Sequence, residues 1–272
     1  MGTEHPHKSR FSCLKKTQVS LWLVLLLLLT SGLLNGLFLY LLHQSFTDLH
    51  FARIFPLGYP PAIDVAPQAA VSVDLAIYGD SRAYHWRPTK LVQGGSIANL
   101  AHGGQSSSQL RLQLETETVV RSCVAIAQFG INDLHPLGAL SPWRDQIRRQ
   151  TKENVLRIRD LLLERSKILV LTTVMPPGQT PWTRKPFWDP STDEYIIDLN
   201  DVISHAAQHE RVILLDAYAI LAASNGKLRP DYVDEDFFLH LNDLAYSHLD
   251  SKLQERVGGM MSCLTSQAGQ EK

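Results

Sequence analysis

The sequence predicts an α/β protein with a three-layer α/β/α domain around a parallel sheet of about five strands, preceded by one transmembrane helix. Two observations support this fold class. Short apolar runs alternate with longer stretches of helical spacing, and a long uncharged run lies near the N-terminus. With 272 residues, 44% of them hydrophobic, the chain has enough apolar material for one full-sized core after the N-terminal run is set aside.

The N-terminal apolar run extends from Val19 to Tyr40 without a charged residue. A membrane span needs about 20 apolar residues, so this run is long enough. By the positive-inside rule, the N-terminus stays in the cytoplasm and the rest is exported, because the run is preceded by Lys8, Arg10, Lys15 and Lys16. A cleaved signal peptide is the alternative, but its apolar region is usually about 7 to 15 residues long and ends in a small-residue cleavage site. We therefore expect an uncleaved anchor.

These features divide the chain into four segments. We expect a cytoplasmic tail over 1–18, a transmembrane helix over 19–42, a juxtamembrane linker over 43–70 and an exported domain over 71–272. The linker is predicted because sustained periodicity is absent there and because the segment contains Pro56, Pro60, Pro61 and Pro67.

Five apolar runs rich in β-branched residues and bounded by Gly, Asp, Asn or Pro predict buried parallel strands. They are Val73–Tyr78, Ile97–Ala101, Val124–Phe129, Ile168–Val174 and Val212–Leu215. Helical spacing between them is marked by Leu110, Leu114, Val119 and Val120, then by Ile147 to Leu162, then by Tyr195 to Ile203, and finally by Leu244 to Leu253. Alternation of strand and helix implies right-handed crossovers and a flavodoxin-like sheet covered on both faces, with reactive groups at the carboxyl ends of the strands.

Charge and cysteine content exclude several classes of function. The formal net charge is -1, from 26 basic and 27 acidic residues, so nucleic acid is not expected as a partner. The three cysteines have no metal-ligand spacing, and neither a metal nor an organic cofactor is expected. Cys123 lies in an apolar run and is expected to be a small buried residue, although a Cys123–Cys263 bridge stays open in an oxidising compartment.

The end of the first predicted strand carries the first chemical motif, Gly79-Asp80-Ser81. Gly79 permits a tight exit from the strand, and Ser81 then opens a helix whose unpaired N–H groups favour developing negative charge. A serine in that place can attack a carbonyl. The tripeptide alone is equally typical of a helix N-cap, and it is not the G-x-S-x-G elbow of the α/β-hydrolases.

Further motifs follow in a fixed order. The second strand leads into Asn99 and then His102-Gly103-Gly104, the third into Gly130-Ile131-Asn132-Asp133, and the C-terminal part contains His240-Leu241-Asn242. In this order the motifs resemble those of the SGNH/GDSL hydrolase family over essentially the whole exported domain. The resemblance implies a serine-dependent ester hydrolase that works through an acyl-serine.

The resemblance also implies the site residues. Ser81 is the expected nucleophile, and its N–H, the Gly104 N–H and the Asn132 side chain form the expected oxyanion hole, with Gly103 as the fallback. An isolated Asn132 would otherwise be a turn residue that bonds its own backbone. His240 is the expected base.

The sequence departs from the family pattern at one position. The family places an aspartate three residues before its histidine, where this chain has Phe237. We expect Asp236 to orient His240 instead, with Asp234 or a Ser–His dyad as alternatives.

Other polar and aromatic residues follow the strands closely. We expect Arg82, His85 and His135 to line the mouth of the site or to serve packing and solvation. The stretch Pro176–Pro190, after the fourth strand, is expected to form either a lid or sugar-stacking wall or a self-packed loop, because it contains three large aromatic residues: Trp182, Phe187 and Trp188.

The expected substrate is an ester of an envelope or exported glycan, or of a lipid, met at the outer face of the membrane. An O-acyltransferase that uses the same acyl-serine is the nearest alternative. A catalytically silent module that binds glycan or assists assembly is another, favoured by Phe237 and opposed by the joint presence of Ser81, Asn132 and His240. Protein partners are not indicated by the sequence.

Overall fold

The computed structural model describes residues 9–56, 71–88, 91, 95–117, 119–234 and 238–257, with the side chains of 9–20 left out. The chain divides into two compact units, Met1–Asp48 and Leu49–Lys272. The first unit contains most of helix α1, Ser9–Ile54. Within α1, the described stretch from Leu21 is long and apolar enough to cross a membrane, with a mean hydropathy of 2.1 and none of its most apolar window buried.

The second unit is built on a sheet of five parallel strands in the order β2-β1-β3-β4-β5. The strands are β1 Val71–Gly79, β2 Ile97–Asn99, β3 Val120–Gln128, β4 Ser166–Thr172 and β5 Val212–Leu215. The helices between and after them are α2 Ser81–His85, α3 Ser107–Thr116, α4 Ile131–Leu134, α5 Arg144–Leu163, α6 Thr192–Ala206, α7 Ala217–Leu221 and α8 Asp243–Val257. The predicted α/β class with a parallel five-stranded sheet is confirmed.

Alternation along the strands creates two separate cores. Ala76 and Tyr78 of β1 face one core, which also contains the buried faces of α3, α5 and α6. Leu75 and Ile77 face the other core, which contains the buried faces of α7 and α8. Because successive side chains of a strand point to opposite faces, a sheet buried on both sides needs continuous apolar runs, as these strands have.

The strand order reverses direction at β1, since β2 lies on one side of it and β3 on the other. Loops that leave the carboxyl ends of β1, β2 and β3 therefore diverge and open a crevice at that edge. The predicted motifs that contain Ser81, Gly104 and Asn132 all lie in these loops or in the helices that begin there.

Two expectations about local structure differ from what is observed. The predicted linker 43–70 contains the last turns of α1, because the helix continues through 43–54 and its first proline, Pro56, comes only after the helix has ended. Residues 57–70 lie outside the described part of the chain. Val119 and Val120 do not belong to a helix, since α3 ends at Thr116 and β3 begins at Val120, in keeping with the β-propensity of valine.

Cys123 also differs from the favoured expectation. It is 7% exposed on β3, as expected for a small apolar residue, but it is disulfide-bonded. The sequence contains two other cysteines, Cys13 and Cys263.

Candidate active site

The candidate nucleophile stands at the first position of helix α2, directly after β1. Gly79 adopts φ +133, and a Cβ atom there would collide with the backbone of Gln128 on β3, so this exit from the strand requires glycine. Asp80 is the N-cap, and its carboxylate accepts a hydrogen bond from the Arg82 N–H at 2.8 Å. The turn fixes the backbone of Ser81 at a helix N-terminus, where its N–H is not used by the helix.

Asp80 has a structural role in this turn. Its side chain is completely buried and also accepts a bond from the Gln128 side chain at 3.3 Å. Burial raises the pKa of Asp80 to about 6, and the Arg82 guanidinium opposes this shift. The middle residue of the Gly-Asp-Ser motif therefore holds the turn and does not face a substrate.

The candidate base lies beside the serine. Nε2 of His240 is 3.2 Å from Oγ of Ser81, within hydrogen-bond reach. The centroids of the His85 and His240 rings are 5.6 Å apart. The pKa of His240 is lowered by burial first and then by His85 and Arg82, while the charge of Asp234 raises it.

The two aspartates named for the histidine differ in how far the structure describes them. Asp236 lies outside the described residues, as does Phe237. Asp234 is described, and its backbone N–H donates to the carbonyl of His240 at 3.2 Å, next to the antiparallel bridge between Val233 and Leu241. Asp234 is thus held beside the histidine by the backbone.

The loops after β2 and β3 bring the candidate oxyanion donors together. Gly104 has φ +73, and it precedes Gln105, whose carbonyl accepts a hydrogen bond from the Asn132 side chain at 3.1 Å. Asn132 lies in α4, which follows Gly130 with φ +114. The amide of Asn132 therefore binds a distant loop and not its own turn, and the amide nitrogen carries a second N–H that can serve a further acceptor.

Asp133 supports the same pair of loops, a role that sequence reasoning did not assign. It is buried, and it accepts hydrogen bonds from the backbone N–H of Ser107 at 2.9 Å and from the Ser107 hydroxyl at 2.7 Å. Since Ser107 begins α3, these bonds tie the loop that contains Gly104 to the helix that contains Asn132. Burial raises the pKa of Asp133 to about 6.

Arg82 does not line the mouth of the site. Its side chain is 1% exposed, and its guanidinium donates to the carbonyls of Leu239 at 2.6 Å, Met175 at 2.6 Å and Pro176 at 3.2 Å. Leu239 directly precedes His240. Arg82 directly follows the candidate nucleophile. Its side chain therefore links the start of α2 to the loop that bears the candidate base.

Comparison with known proteins identifies the family of the domain. The model of the GDSL-like lipase/acylhydrolase family matches residues 69–248, well over half of the chain. The chain belongs to this family. It is a serine ester hydrolase of the SGNH/GDSL type.

Solved structures share the fold of the GDSL domain at low sequence identity. A GDSL-like lipase from Bacteroides thetaiotaomicron is 17% identical with a TM-score of 0.55, and the match covers 69% of this chain and 88% of that chain. The acetylxylan esterase Axe2 from Geobacillus stearothermophilus is 16% identical with a TM-score of 0.52, covering 70% of this chain and 95% of that chain. A search of the curated proteins finds no match.

The other residues predicted to line the mouth of the site lie in different parts of the GDSL domain. His85 lies beside His240, whereas His135 packs edge-on against His50 with ring centroids 4.7 Å apart. In the stretch 176–190, the Trp188 ring packs against Phe238 with centroids 5.5 Å apart, and Trp182 is 79% exposed. The stretch is therefore anchored through Trp188 to the segment that leads into His240, while Trp182 is exposed to solvent.

Proposed function

We propose that Ser81 is the nucleophile, that His240 is the general base, and that the N–H groups of Ser81 and Gly104 with the Asn132 amide form the oxyanion hole. The observation that carries this proposal is the 3.2 Å contact between His240 Nε2 and Ser81 Oγ at the start of a helix. His240 accepts the Ser81 proton as the oxygen attacks the ester carbonyl. The resulting oxyanion is stabilised by the three donors, each typically worth about 10²- to 10³-fold in kcat.

The acyl-serine then forms as the tetrahedral intermediate collapses. His240 returns its proton to the departing alcohol, and water, deprotonated by the same histidine, releases the acid and regenerates Ser81. For the carboxylate that supports the imidazolium we propose Asp236, the expected triad member, with Asp234 as the alternative, since the charge of Asp234 raises the pKa of His240.

We further propose that the domain is exported, anchored by α1 with its N-terminus in the cytoplasm, and acts on O-acyl groups of envelope or exported glycans. The apolar helix and the disulfide at Cys123 support export, since disulfides persist in oxidising compartments. The likeness to an acetylxylan esterase supports an acetylated glycan as substrate, by analogy of fold.

The test is turnover by the full-length protein purified in a neutral detergent, with 4-nitrophenyl acetate and acetylated xylo-oligosaccharides as substrates. We expect Ser81→Ala to lower kcat by about 10³-fold or more, because the acyl-enzyme forms on its oxygen. Ser251→Ala, an exposed serine on α8, is the matched control and should retain activity. Folded wild-type protein that hydrolyses neither ester would contradict the proposal.

The same assay separates hydrolysis from transfer. Acetate released to water supports hydrolysis, and acetyl groups recovered on an added glycan acceptor would instead assign the acyl-serine to a transferase.

A further inference from the structure

The last turn of helix α1 forms part of the second compact unit, beside the candidate oxyanion loop. Ile54 is 1% exposed and belongs to the core shared by α3, α5 and α6. The Ser106 hydroxyl donates to the carbonyl of Arg53 at 2.6 Å, and the Gln150 side chain donates to that of Ile54 at 3.2 Å. These contacts hold the backbone of Arg53 against Ser106, in the same loop as Gly104.

The Arg53 side chain lies directly over Gly104. A Cβ atom added at Gly104 would be 2.6 Å from Nη1 and 3.0 Å from Cζ of Arg53. Glycine at this position therefore leaves space for the guanidinium. It also allows the left-handed backbone conformation. The guanidinium sits against the residue proposed to donate an oxyanion hydrogen bond.

Arg184 contributes a second positive charge near Arg53, since both arginines act on the same two buried histidines. The pKa of His135 falls to about 3 because of burial, with smaller contributions from His50, Arg184 and Arg53. The pKa of His50 falls to about 4, again mainly because of burial. Both histidines are therefore neutral near pH 7, and the positive charges that act on them come from the two arginines. Among the residues that the structure describes, no carboxylate forms an ion pair with Arg53, which is only half-buried.

A half-buried guanidinium with a second arginine nearby can bind a carboxylate or a phosphate through paired, charge-assisted hydrogen bonds. We infer that Arg53 is a specificity-determining residue that binds an anionic group of the ester substrate next to the scissile bond. This inference rests on the proposed function of Ser81 and names the substrate class, an acidic ester. The end of the anchor helix thereby contributes a residue to the active site.

The experiment compares matched esters that differ in one charge, in neutral detergent. 4-Acetoxybenzoate carries a carboxylate on the alcohol side and mono-(4-nitrophenyl) succinate on the acyl side, and the methyl ester of each removes that charge. We expect kcat/KM to favour at least one acid over its methyl ester, and Arg53→Gln to reduce this ratio about tenfold or more. Arg53→Lys should restore part of it, because the charge is kept and the bidentate geometry is lost.

Control variants separate substrate binding by Arg53 from effects on folding or on membrane attachment. Arg256 is an exposed arginine on α8, a helix that packs on the other face of the sheet. Arg256→Gln should leave the ratio unchanged. Circular dichroism and the melting temperature show whether the Arg53 variants fold. A preference that is equal in wild type and Arg53→Gln, or that depends on Arg53 only after phosphatidylglycerol vesicles are added, would overturn the inference. Failure of wild type on all four esters would contradict the proposed function instead.

Discussion

His240 occupies surroundings that disfavour its charged form. Burial, His85 and Arg82 lower its pKa, and Asp234 opposes them. A general base must be neutral to accept a proton, so a lowered pKa would keep His240, the proposed base, active at lower pH.

We therefore expect the acidic limb of the kcat/KM profile to lie below pH 6.5, the ordinary pKa of histidine. Asp234→Asn should move this limb to still lower pH, because it removes the charge that raises the pKa of His240. Asp145→Asn, whose side chain is 81% exposed on α5, should leave it in place. The measurement is a pH profile of ester hydrolysis, and a limb at or above pH 6.5 in the wild type would argue against His240 as the base in these surroundings.

Arg82 holds the backbone of the loop that contains His240. Its guanidinium bonds three carbonyls, one of them next to His240. A lysine ammonium keeps the charge but lacks the planar fork.

Arg82→Lys should therefore lower the stability of the fold by about 2–3 kcal/mol and reduce kcat more than it raises KM, because hydrogen bonds to a charged group are lost and His240 is less well placed. Arg87→Lys is the control, since Arg87 is exposed and, among the described residues, its guanidinium donates to carbonyls of its own segment, those of Tyr84 and Trp86. Thermal melts and steady-state kinetics measure both effects. Unchanged kcat in a destabilised Arg82→Lys would show that Arg82 has no positioning role.

Among the secondary-structure elements, the end of α1 contributes to the stability of the GDSL domain. Ile54 is 1% exposed there, whereas Leu49, earlier in the same helix, is 50% exposed. Burial of a large apolar side chain is what makes its truncation costly.

We expect Ile54→Ala to lower the free energy of unfolding of the domain by about 2–4 kcal/mol, and Leu49→Ala to change it little. Urea unfolding followed by tryptophan fluorescence provides the measurement. Equal effects of the two substitutions would mean that the last turn of α1 is not part of the folded core.

Most of the elements are predictable because their patterns are local. The five strands follow from apolar runs, and β5 has the predicted bounds, Val212–Leu215. The continuation of α1 over 43–54 is harder to predict, because the prolines that indicate a linker begin only at Pro56. Spacing alone misassigns Val119 and Val120 to a helix, since it takes no account of the β-branching that favours a strand.

The candidate site is predictable only in part, for a related reason. The motifs around Ser81, Asn132 and His240 can be recognised in the sequence, and the fold brings Ser81 and His240 into contact. The places of Arg82 and Arg53 depend on tertiary contacts with Leu239 and Gly104, far away along the chain. No local pattern indicates such contacts.

For the whole molecule, the proposed membrane topology predicts which cysteine is bonded to Cys123. Cys123 is disulfide-bonded, and the sequence contains two other cysteines, Cys13 and Cys263. In the proposed topology Cys13 stays in the cytoplasm, on the other side of the membrane from Cys123.

The partner should therefore be Cys263. Non-reducing peptide mapping should find Cys123 linked to Cys263, and Cys263→Ser should lower the melting temperature while Cys13→Ser should not. A Cys123 peptide linked to Cys13 would contradict the topology.

Labelling of the full-length protein with a fluorophosphonate probe tests the activated serine most directly. The probe should attach to Ser81, as located by mass spectrometry, and attachment should vanish in Ser81→Ala and fall steeply in His240→Ala, because the probe reacts with a serine only when a base activates it. Ser251→Ala should label like the wild type. A folded wild-type protein that takes up no probe, or takes it up at another serine, would contradict the assignment of Ser81 and His240.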